Sequence, residues 1–462
     1  MADRVALINL GCPKNLVDSE VMLGHLQDRG YELTTDIADA DVVVVNTCGF
    51  LEASAQESVD TLLAVSRRKR SGRLRGVVAA GCLTQRYGPD AAQALPEVDG
   101  FLGVGQAHAL PDVVARVLAG ERTSILAGPS AGFEGYGLRL QATPSYSAYL
   151  KISEGCDRKC AFCIIPAIRG PMVSRPADEL VREAELLVAR GARELILIGQ
   201  DPTRYGADRG GHQLVELLHR LNDIPDLRWI RLMYLFPDRH AEAVLQAVVE
   251  LPRVCKYVDM PLQHADAALL RTMNRPGSGD EYLGMIRRAR ARCPELAVRS
   301  TFIVGFPGET RRQYEVLLHF VRDAELDWVG VFPFSRESGT MAADMPRQVT
   351  QTAKHSRLDR LMRLQQELSR RRLQSRVGQR VEVLVTHVSG ATGMGRTAFQ
   401  APEVDGVTHL TFASATNYRP GDFVLAEITG AQEYDLRARP LELLHRPPGR
   451  APELLQIGVK KP

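Results

Sequence analysis

Three apolar runs near the start of the chain end on the same punctuation. Val5–Leu10 leads into Gly11-Cys12, the run containing Val42 to Val45 leads into Thr47-Cys48-Gly49, and Gly76–Ala80 leads into Gly81-Cys82. A stretch of helical composition follows each: Leu16–Asp28, Leu51–Arg70, and a third beginning near Gln85. A run that is apolar at every position is buried on both faces, and a parallel sheet covered by helices provides that environment. Residues 1–140 are therefore expected to form an open parallel α/β domain, closed by a further strand and helix at Val98–Gly103 and Pro111–Leu118. The three cysteines stand 36 and 34 residues apart, about one βα unit each. Each falls just past the carboxyl end of its strand, the edge at which open α/β sheets bind ligands. Neighbouring strands would bring Cys12, Cys48 and Cys82 together. One such cysteine reads as a small buried hydrophobe. Three in one structural position read as ligands of an iron–sulfur cluster, with one iron left without a protein ligand.

A second trio is contiguous. Cys156, Cys160 and Cys163 stand in C-x3-C-x2-C within Glu154-Gly-Cys-Asp-Arg-Lys-Cys-Ala-Phe-Cys163. Thiolates this close on one loop can ligate three irons of a cubane cluster, which ordinarily takes four protein ligands. The iron left over keeps an open coordination position, and on a metal centre that is where substrate or cofactor chemistry takes place. A zinc site and a disulfide pair are the alternatives. Zinc sites usually place ligands as two C-x2-C pairs, and disulfides are rare inside cells.

At 462 residues the chain is expected to hold two to four domains. Its 45% hydrophobic and 24% charged content is that of a soluble globular protein, and a net charge of +3 gives no general argument for nucleic-acid binding. No run approaches the ~20 apolar residues of a membrane span, and Val5–Leu10 is too short for a signal-peptide core, so a cytoplasmic location is expected.

The section 141–375 again alternates strand and helix. Candidate strands are Ala148–Ile152, Glu194–Ile198, Trp229–Leu232, Cys255–Asp259, Val298–Val304 and Trp328–Phe332. Helical stretches are Ala177–Arg190, Gln213–Asn222, Arg239–Glu250, Ala265–Met273 and Arg311–Ala324. This predicts a partial (β/α)6 barrel, a relative of the eight-unit barrel whose site lies at the carboxyl ends of its strands. The cysteine loop and the loops at Gly199-Gln200-Asp201, Asp259–His264 and Gly305–Glu309 would converge there. Gly120–Thr143, rich in Gly, Ser and Thr, reads as a linker. Gln351–Arg376 reads as a long helix with Leu358, Leu361, Met362, Leu368 and Leu373 as its apolar positions and Arg370-Arg371-Arg372 on a solvated face. Residues 376–446 turn to short β runs with glycine turns, a small OB-like β-barrel. Seven Lys/Arg against eight Asp/Glu there give a net of −1, unlike the basic surface expected of a barrel that grips RNA. Residues 447–462 read as a disordered tail. Cys255 and Cys293 stand outside both trios and read as core residues.

Taken together, these strings resemble the radical S-adenosylmethionine methylthiotransferases over nearly the whole chain: a three-cysteine N-terminal domain, a radical domain and a C-terminal TRAM barrel. Gly11-Cys-Pro-Lys-Asn-Leu-Val-Asp-Ser-Glu20, Asn46-Thr-Cys-Gly-Phe50, Lys151-Ile-Ser-Glu-Gly-Cys-Asp-Arg-Lys-Cys160, Gly199-Gln-Asp-Pro-Thr-Arg-Tyr-Gly206 and Asp259-Met-Pro-Leu-Gln-His264 resemble the branch that modifies small-subunit ribosomal protein S-twelve. The tRNA-modifying branch usually shows Gly-Gln-Asn where this chain has Gly199-Gln200-Asp201, and Ser-Gly after Pro-Leu-Gln where it has His264-Ala265-Asp266. The resemblance implies an enzyme that inserts a methylthio group at the β-carbon of an aspartate in that protein. It implies two 4Fe-4S clusters, on Cys12, Cys48 and Cys82 and on Cys156, Cys160 and Cys163. It further implies S-adenosylmethionine, one molecule as radical source and a second as methyl donor. Gly199, Gln200 and Asp201 would contact the cofactor's amino group. The motif carrying Thr301, Gly305 and Glu309 would lie near its adenine, with Thr301 where the looser pattern has Gly. Ser174 and Arg175 would reach its carboxylate, a task that suits an arginine fork, although Arg175 reads equally well as a surface residue at a helix start. His264 reads either as a substrate contact or as an ordinary loop histidine. No residue is singled out as catalytic. The implied partners are the ribosomal protein and an electron donor, with neither a membrane nor strong direct nucleic-acid binding. The alternatives are the same chemistry on a tRNA adenosine and a non-catalytic iron–sulfur module that docks on ribosomes.

Overall fold

The computed structural model describes residues 3–70, 72–126, 133, 136–412 and 418–447, with the backbone of 458–459. The N-terminal strands are β1 (Arg4–Asn9), β2 (Glu32–Leu33), β3 (Val42–Thr47), β4 (Gly76–Gly81), β5 (Gly100–Leu102) and β6 (Thr123–Ile125). They pair in parallel in the order β2-β1-β3-β4-β5-β6. Helices α1 (Pro13–Asp28), α2 (Glu52–Ser66), α3 (Cys82–Ala94) and α4 (Leu110–Leu118) cover both faces. Val42 and Val44 pack with Leu16, Val21 and Val113 on one side, and Val43 and Val45 with Leu62, Val65 and Leu83 on the other. This two-sided burial is why the run is apolar at every position. Strands β1, β3 and β4 are neighbours, so their three cysteines share one edge, as the repeat predicts.

The expected linker is partly ordered into this domain. β6 extends the sheet beside β5, and the segment after Tyr136 packs on α1, with Leu140 donating its N–H to the Glu20 carbonyl at 3.0 Å. Arg139 then joins Glu20 of α1 to Glu183 of the next domain. Residues 127–132 and 134–135 lie outside the described residues.

The central strands are β7 (Ser147–Lys151), a short ribbon β8 (Ser153–Glu154) and β9 (Val173–Ser174), then β10 (Glu194–Ile198), β11 (Trp229–Leu232), β12 (Tyr257–Asp259), β13 (Ala297–Val304) and β14 (Trp328–Pro333). β7-β10-β11 and β12-β13-β14 each pair in parallel, and an Ile230–Val254 bridge links the halves. The predicted six-stranded partial barrel is present. Its helices are α5 (Ile165–Arg169), α6 (Ala177–Ala189), α7 (Leu214–Asn222), α8 (Ala241–Glu250), α9 (Ala267–Thr272), α10 (Gly279–Arg292) and α11 (Arg311–Ala324). Helix α10 was not expected. Its glycines and arginines mask a narrow apolar stripe, Tyr282, Met285, Ile286 and Ala289, at helical spacing. Cys255 and Cys293 are buried, as core residues should be.

Helix α12 (Gln351–Gln374) buries Leu361, Leu368 and Leu373 as its pattern predicts. The arginine run is not wholly solvated: Arg372 pairs with buried Asp327 at 3.2 Å, alongside Arg290 and Arg376. The chain ends in a closed barrel of β15 (Arg380–Ser389), β16 (Thr392–Thr397), β17 (Thr408–Thr411), β18 (Phe423–Ala431) and β19 (Leu436–His445). This barrel docks on the amino ends of the central strands. Glu194, at the start of β10, sits between Arg231 (3.0 Å) and Arg396 of β16 (2.5 Å). The Trp328 indole N–H donates to the Phe399 carbonyl at 3.0 Å. Burial pushes the Glu194 carboxyl up, but Arg396 and Arg231 outweigh it and hold it down at about 2. The small barrel thus lies at the opposite end of the central strands from the cysteine loop, and its near-neutral charge belongs to a surface remote from the cysteines. The tail expected to be disordered lies outside the described residues, apart from Pro447 and a backbone pairing of 458–459 with Ile8 and Asn9.

Candidate active site between two sheet edges

The N-terminal sheet and the central barrel face each other carboxyl edge to carboxyl edge. The cavity between them, about 340 Å³, is lined by Cys12, Cys48, Cys82, Cys156, Cys160 and Cys163. Local backbone explains how two of these turn inward. Gly155 has φ +71°, and a Cβ there would lie 2.0 Å from the Pro171 carbonyl oxygen. Gly81 has φ +93°, and a Cβ would lie 2.2 Å from the Asn46 side-chain oxygen. Only glycine accepts both the left-handed backbone and the close approach. Cys12 caps the amino end of α1 and Cys82 opens α3, positions where helix amides favour a thiolate. The Asn15 amide ties the loops together, donating to the Leu10 and Thr47 carbonyls at 3.0 and 2.9 Å.

One arginine joins the two trios. Arg169 ends α5, which follows Cys156, Cys160 and Cys163, and it is buried. Its guanidinium donates to Glu154 (2.8 Å), to Asp18 (3.3 Å) and Asn15 (2.5 Å) of α1, and to Cys82 Sγ (3.3 Å). Lys151, at the end of β7, completes the network by pairing with Asp18 at 2.6 Å and with Glu154. Burial pushes the Glu154 carboxyl up, but Arg169 and Lys151 together hold it down at about 2. Each carboxylate is matched by a cation, the condition under which buried charges are tolerated. The network fixes the two cysteine sets relative to each other.

The cavity suits a cluster better than a single ion. Among the described residues, no three His, Cys, Asp or Glu side chains converge closely enough to hold one metal ion. A mononuclear zinc needs such convergence, with thiolates ~2.3 Å from the metal, whereas the ligands of a cubane bind different irons. Burial pushes the Cys156 thiol up to about 11, and the Cys82 and Cys163 thiols up to about 12. Without a cation these three are protonated at neutral pH, so metal uptake there releases protons.

Among the residues expected to contact the cofactor, Gln200 lines the cavity, and its amide donates to Glu154 at 2.6 Å. Asp201 lies behind it, paired with Arg158 at 2.6 Å, and Gly199 packs so closely on Ser153 that a Cβ would lie 2.5 Å from its hydroxyl. The others do not line it. Ser174 Oγ accepts the Gly206 N–H at 2.9 Å, and Arg175 is turned away to Glu183 at 2.6 Å. Thr301 accepts the Gln263 N–H through its carbonyl at 2.8 Å, while Glu309 accepts from Gly305 and pairs with Arg357 at 2.9 Å, bracing the turn after β13. His264 is fully buried, its ring nitrogen accepting the Asp266 N–H at 3.0 Å. The sequence reading missed Lys14, Arg158, Arg169, Tyr234, Phe236 and Arg275, all of which line the cavity. Lys14 and Arg158 stand two residues after a cysteine, a usable signal. Tyr234 and Phe236 come from the loop after β11, the one loop between its chosen motifs that it passed over.

Two facing α/β edges, a C-x3-C-x2-C loop and a closed C-terminal barrel define a radical S-adenosylmethionine enzyme with an added three-cysteine domain. Comparison with known proteins agrees. Residues 4–103 match the uncharacterised protein family UPF0004, residues 150–321 the radical SAM superfamily and residues 377–441 the TRAM domain. The chain is 44% identical over 448 residues to the ribosomal protein uS12 methylthiotransferase RimO of Symbiobacterium thermophilum, covering 96% of this chain and 92% of that one. It is 46% identical over 457 residues to the protein of the same name from Anaeromyxobacter sp. (strain K), covering 98% and 95%. This chain belongs to the RimO family of methylthiotransferases. Among solved structures, the methyltransferase TsrM from Kitasatospora setae, with cobalamin and a [4Fe-4S] cluster bound, has the same fold at 14% identity, TM-score 0.52 and 72% coverage of each chain. The cobalamin-dependent radical enzyme OxsB has a TM-score of 0.50 at 10% identity, covering 79% of this chain and 62% of its own.

Proposed function

We propose that this chain inserts a methylthio group at the β-carbon of an aspartate in ribosomal protein uS12, with a [4Fe-4S] cluster held by each cysteine trio. The observation that carries this reading is the single cavity shared by both trios. Bound there, the clusters and S-adenosylmethionine supply hydrogen-atom abstraction from an unactivated C–H bond, sulfur for the resulting carbon, and a methyl group for that sulfur. The chain's own residues position and enclose. Cys156, Cys160 and Cys163 would hold a cluster with one iron left for the cofactor, and Gln200, held by Glu154, stands beside that loop with Arg158 and Asp201 behind it. Arg169 keeps the sulfur-delivering trio at a fixed distance from the radical loop. Phe162, Phe236 and Leu235 give the cavity apolar walls that exclude water from a reactive radical.

The test is anaerobic reconstitution, reduction and incubation with uS12 or with unmodified tRNA, followed by mass spectrometry. The expected result is a methylthio increment on the aspartate of uS12. An increment on tRNA alone would assign the other substrate class, and no 5′-deoxyadenosine release with either substrate would favour a non-catalytic ribosome-docking module. Among the described residues no helix is long and apolar enough to cross a membrane.

A further inference from the structure

Among the described residues, four cationic side chains line the cavity, and three are engaged by its walls. Arg158 pairs with Asp201 and Asp238. Arg169 pairs with Glu154 and Asp18. Arg275 donates to the Pro261 carbonyl and leans on Cys160 Sγ at 3.7 Å, on the radical-loop side. The fourth, Lys14, stands in the first turn of α1 on the side of Cys12. It is 8% exposed, and its ammonium lies 3.1 Å from the centroid of the Tyr234 ring. Among the described residues it has no hydrogen bond and no ion pair.

A buried ammonium held on an aromatic face, with no carboxylate in contact and Cys12, Asp259 and Glu154 acting on it only from further away, is an incomplete arrangement. Its support is built with care. Tyr234 adopts φ +65°, a conformation that large side chains rarely take, and its N–H is fixed by Asp259 at 3.0 Å. The ring therefore holds the cation at the cavity wall beside the trio assigned to sulfur delivery. A substrate whose reacting carbon carries a carboxylate must bring that anion into the same space, one bond from the reacting atom.

Resting on the uS12 reading above, we propose that Lys14 is the group that recognises the carboxylate of the target aspartate. It is a specificity-determining residue, forming a charge-assisted hydrogen bond that an asparagine or a nucleobase does not replace. The rival role is to neutralise the cluster on Cys12, Cys48 and Cys82.

The experiment uses the reconstituted holoenzyme with S-adenosylmethionine and no reductant, so that only binding is read. A uS12 substrate is titrated carrying either the target aspartate or asparagine in its place. The wild type is expected to favour the aspartate form by at least about tenfold in Kd. Lys14→Met, with its full iron content, is expected to bind the two forms within about twofold of each other, and Lys14→Arg to restore part of the preference. Three results overturn the proposal: a wild type indifferent to the exchange, a Lys14→Met protein that keeps the wild-type ratio, or one that has lost about half its iron. Wild-type turnover under reductant is the control that separates the two readings. If uS12 gains the methylthio group but the Kd cycle shows no coupling, only the role of Lys14 fails. If uS12 is not modified at all, the reading beneath it fails.

Discussion

Replacing Arg169 with methionine tests whether the two cysteine sets are held together by a buried charge network. The substitution keeps an unbranched apolar side chain but removes the guanidinium that Glu154, Asp18, Asn15 and Cys82 share. Two buried carboxylates are then left with Lys151 as their one cation. Breaking a buried pair by removing one partner costs about 3–5 kcal/mol. The Glu154 carboxyl gives an independent figure. Holding it at about 2 instead of its ordinary 4.5 is worth about 3 kcal/mol, at ~1.4 kcal/mol per pH unit, with Lys151 supplying part of it. Because the chain has several domains, the loss is best read locally, by hydrogen exchange of α1 and of the 154–170 loop in the cluster-free protein. About 3 kcal/mol corresponds to roughly hundredfold faster exchange there at pH 7. The pH dependence has a definite sign. A depressed carboxyl stabilises the wild type fully above 4.5 and ceases to do so as pH falls toward 2. The ratio of variant to wild-type exchange rates should therefore be largest at neutral pH and shrink on going to pH 4. Exchange within a few-fold of wild type at pH 7, or a ratio that does not fall in acid, would refute the reasoning. Arg169→Lys should lie between, keeping the charge but losing the fork.

Three further outcomes are expected. Reconstituted wild type should hold roughly eight irons per chain, and Cys156→Ala or Cys12→Ala roughly four; elemental analysis that finds zinc in place of iron would exclude the two-cluster reading. Gly155→Ala puts a Cβ 2.0 Å from the Pro171 carbonyl on a left-handed backbone, so the radical-loop cluster should be lost while the N-terminal one remains, giving about half the visible absorption. Glu194→Gln leaves Arg231 and Arg396 facing each other without a counter-charge, at a cost of about 3–5 kcal/mol. The small barrel should then be released by limited proteolysis near 375–380 with iron content unchanged. The wild-type barrel should loosen in the same assay only as pH falls below about 4.5 toward 2, where Glu194 takes up its proton.

Much of this protein is determined locally and could be read along the chain. Unbroken valine at 42–45 requires a sheet covered on both faces, and a strand–cysteine–helix unit repeated at about 35 residues places three thiols on one edge whatever the loops do. Three thiols within eight residues are joined by the chain itself, so the Cys156, Cys160 and Cys163 set needed no tertiary information. The same holds for the six central strands, each a short apolar run between punctuating residues.

What only the tertiary structure decided concerns groups distant in sequence. That the two edges face each other depends on Arg169 reaching 87 residues back to Cys82 and 151 back to Asp18, and no local pattern encodes such a meeting. Arg175 and Glu309 carry the right chemistry for a cofactor, yet partners elsewhere in the fold, Glu183 and Arg357, engage them first. Lys14 shows the converse. In the sequence it is one of eight lysines; among the described residues of the folded chain it is the cavity cation with no carboxylate in contact, because its ammonium rests on the Tyr234 ring while Cys12, Asp259 and Glu154 act on it only from further away.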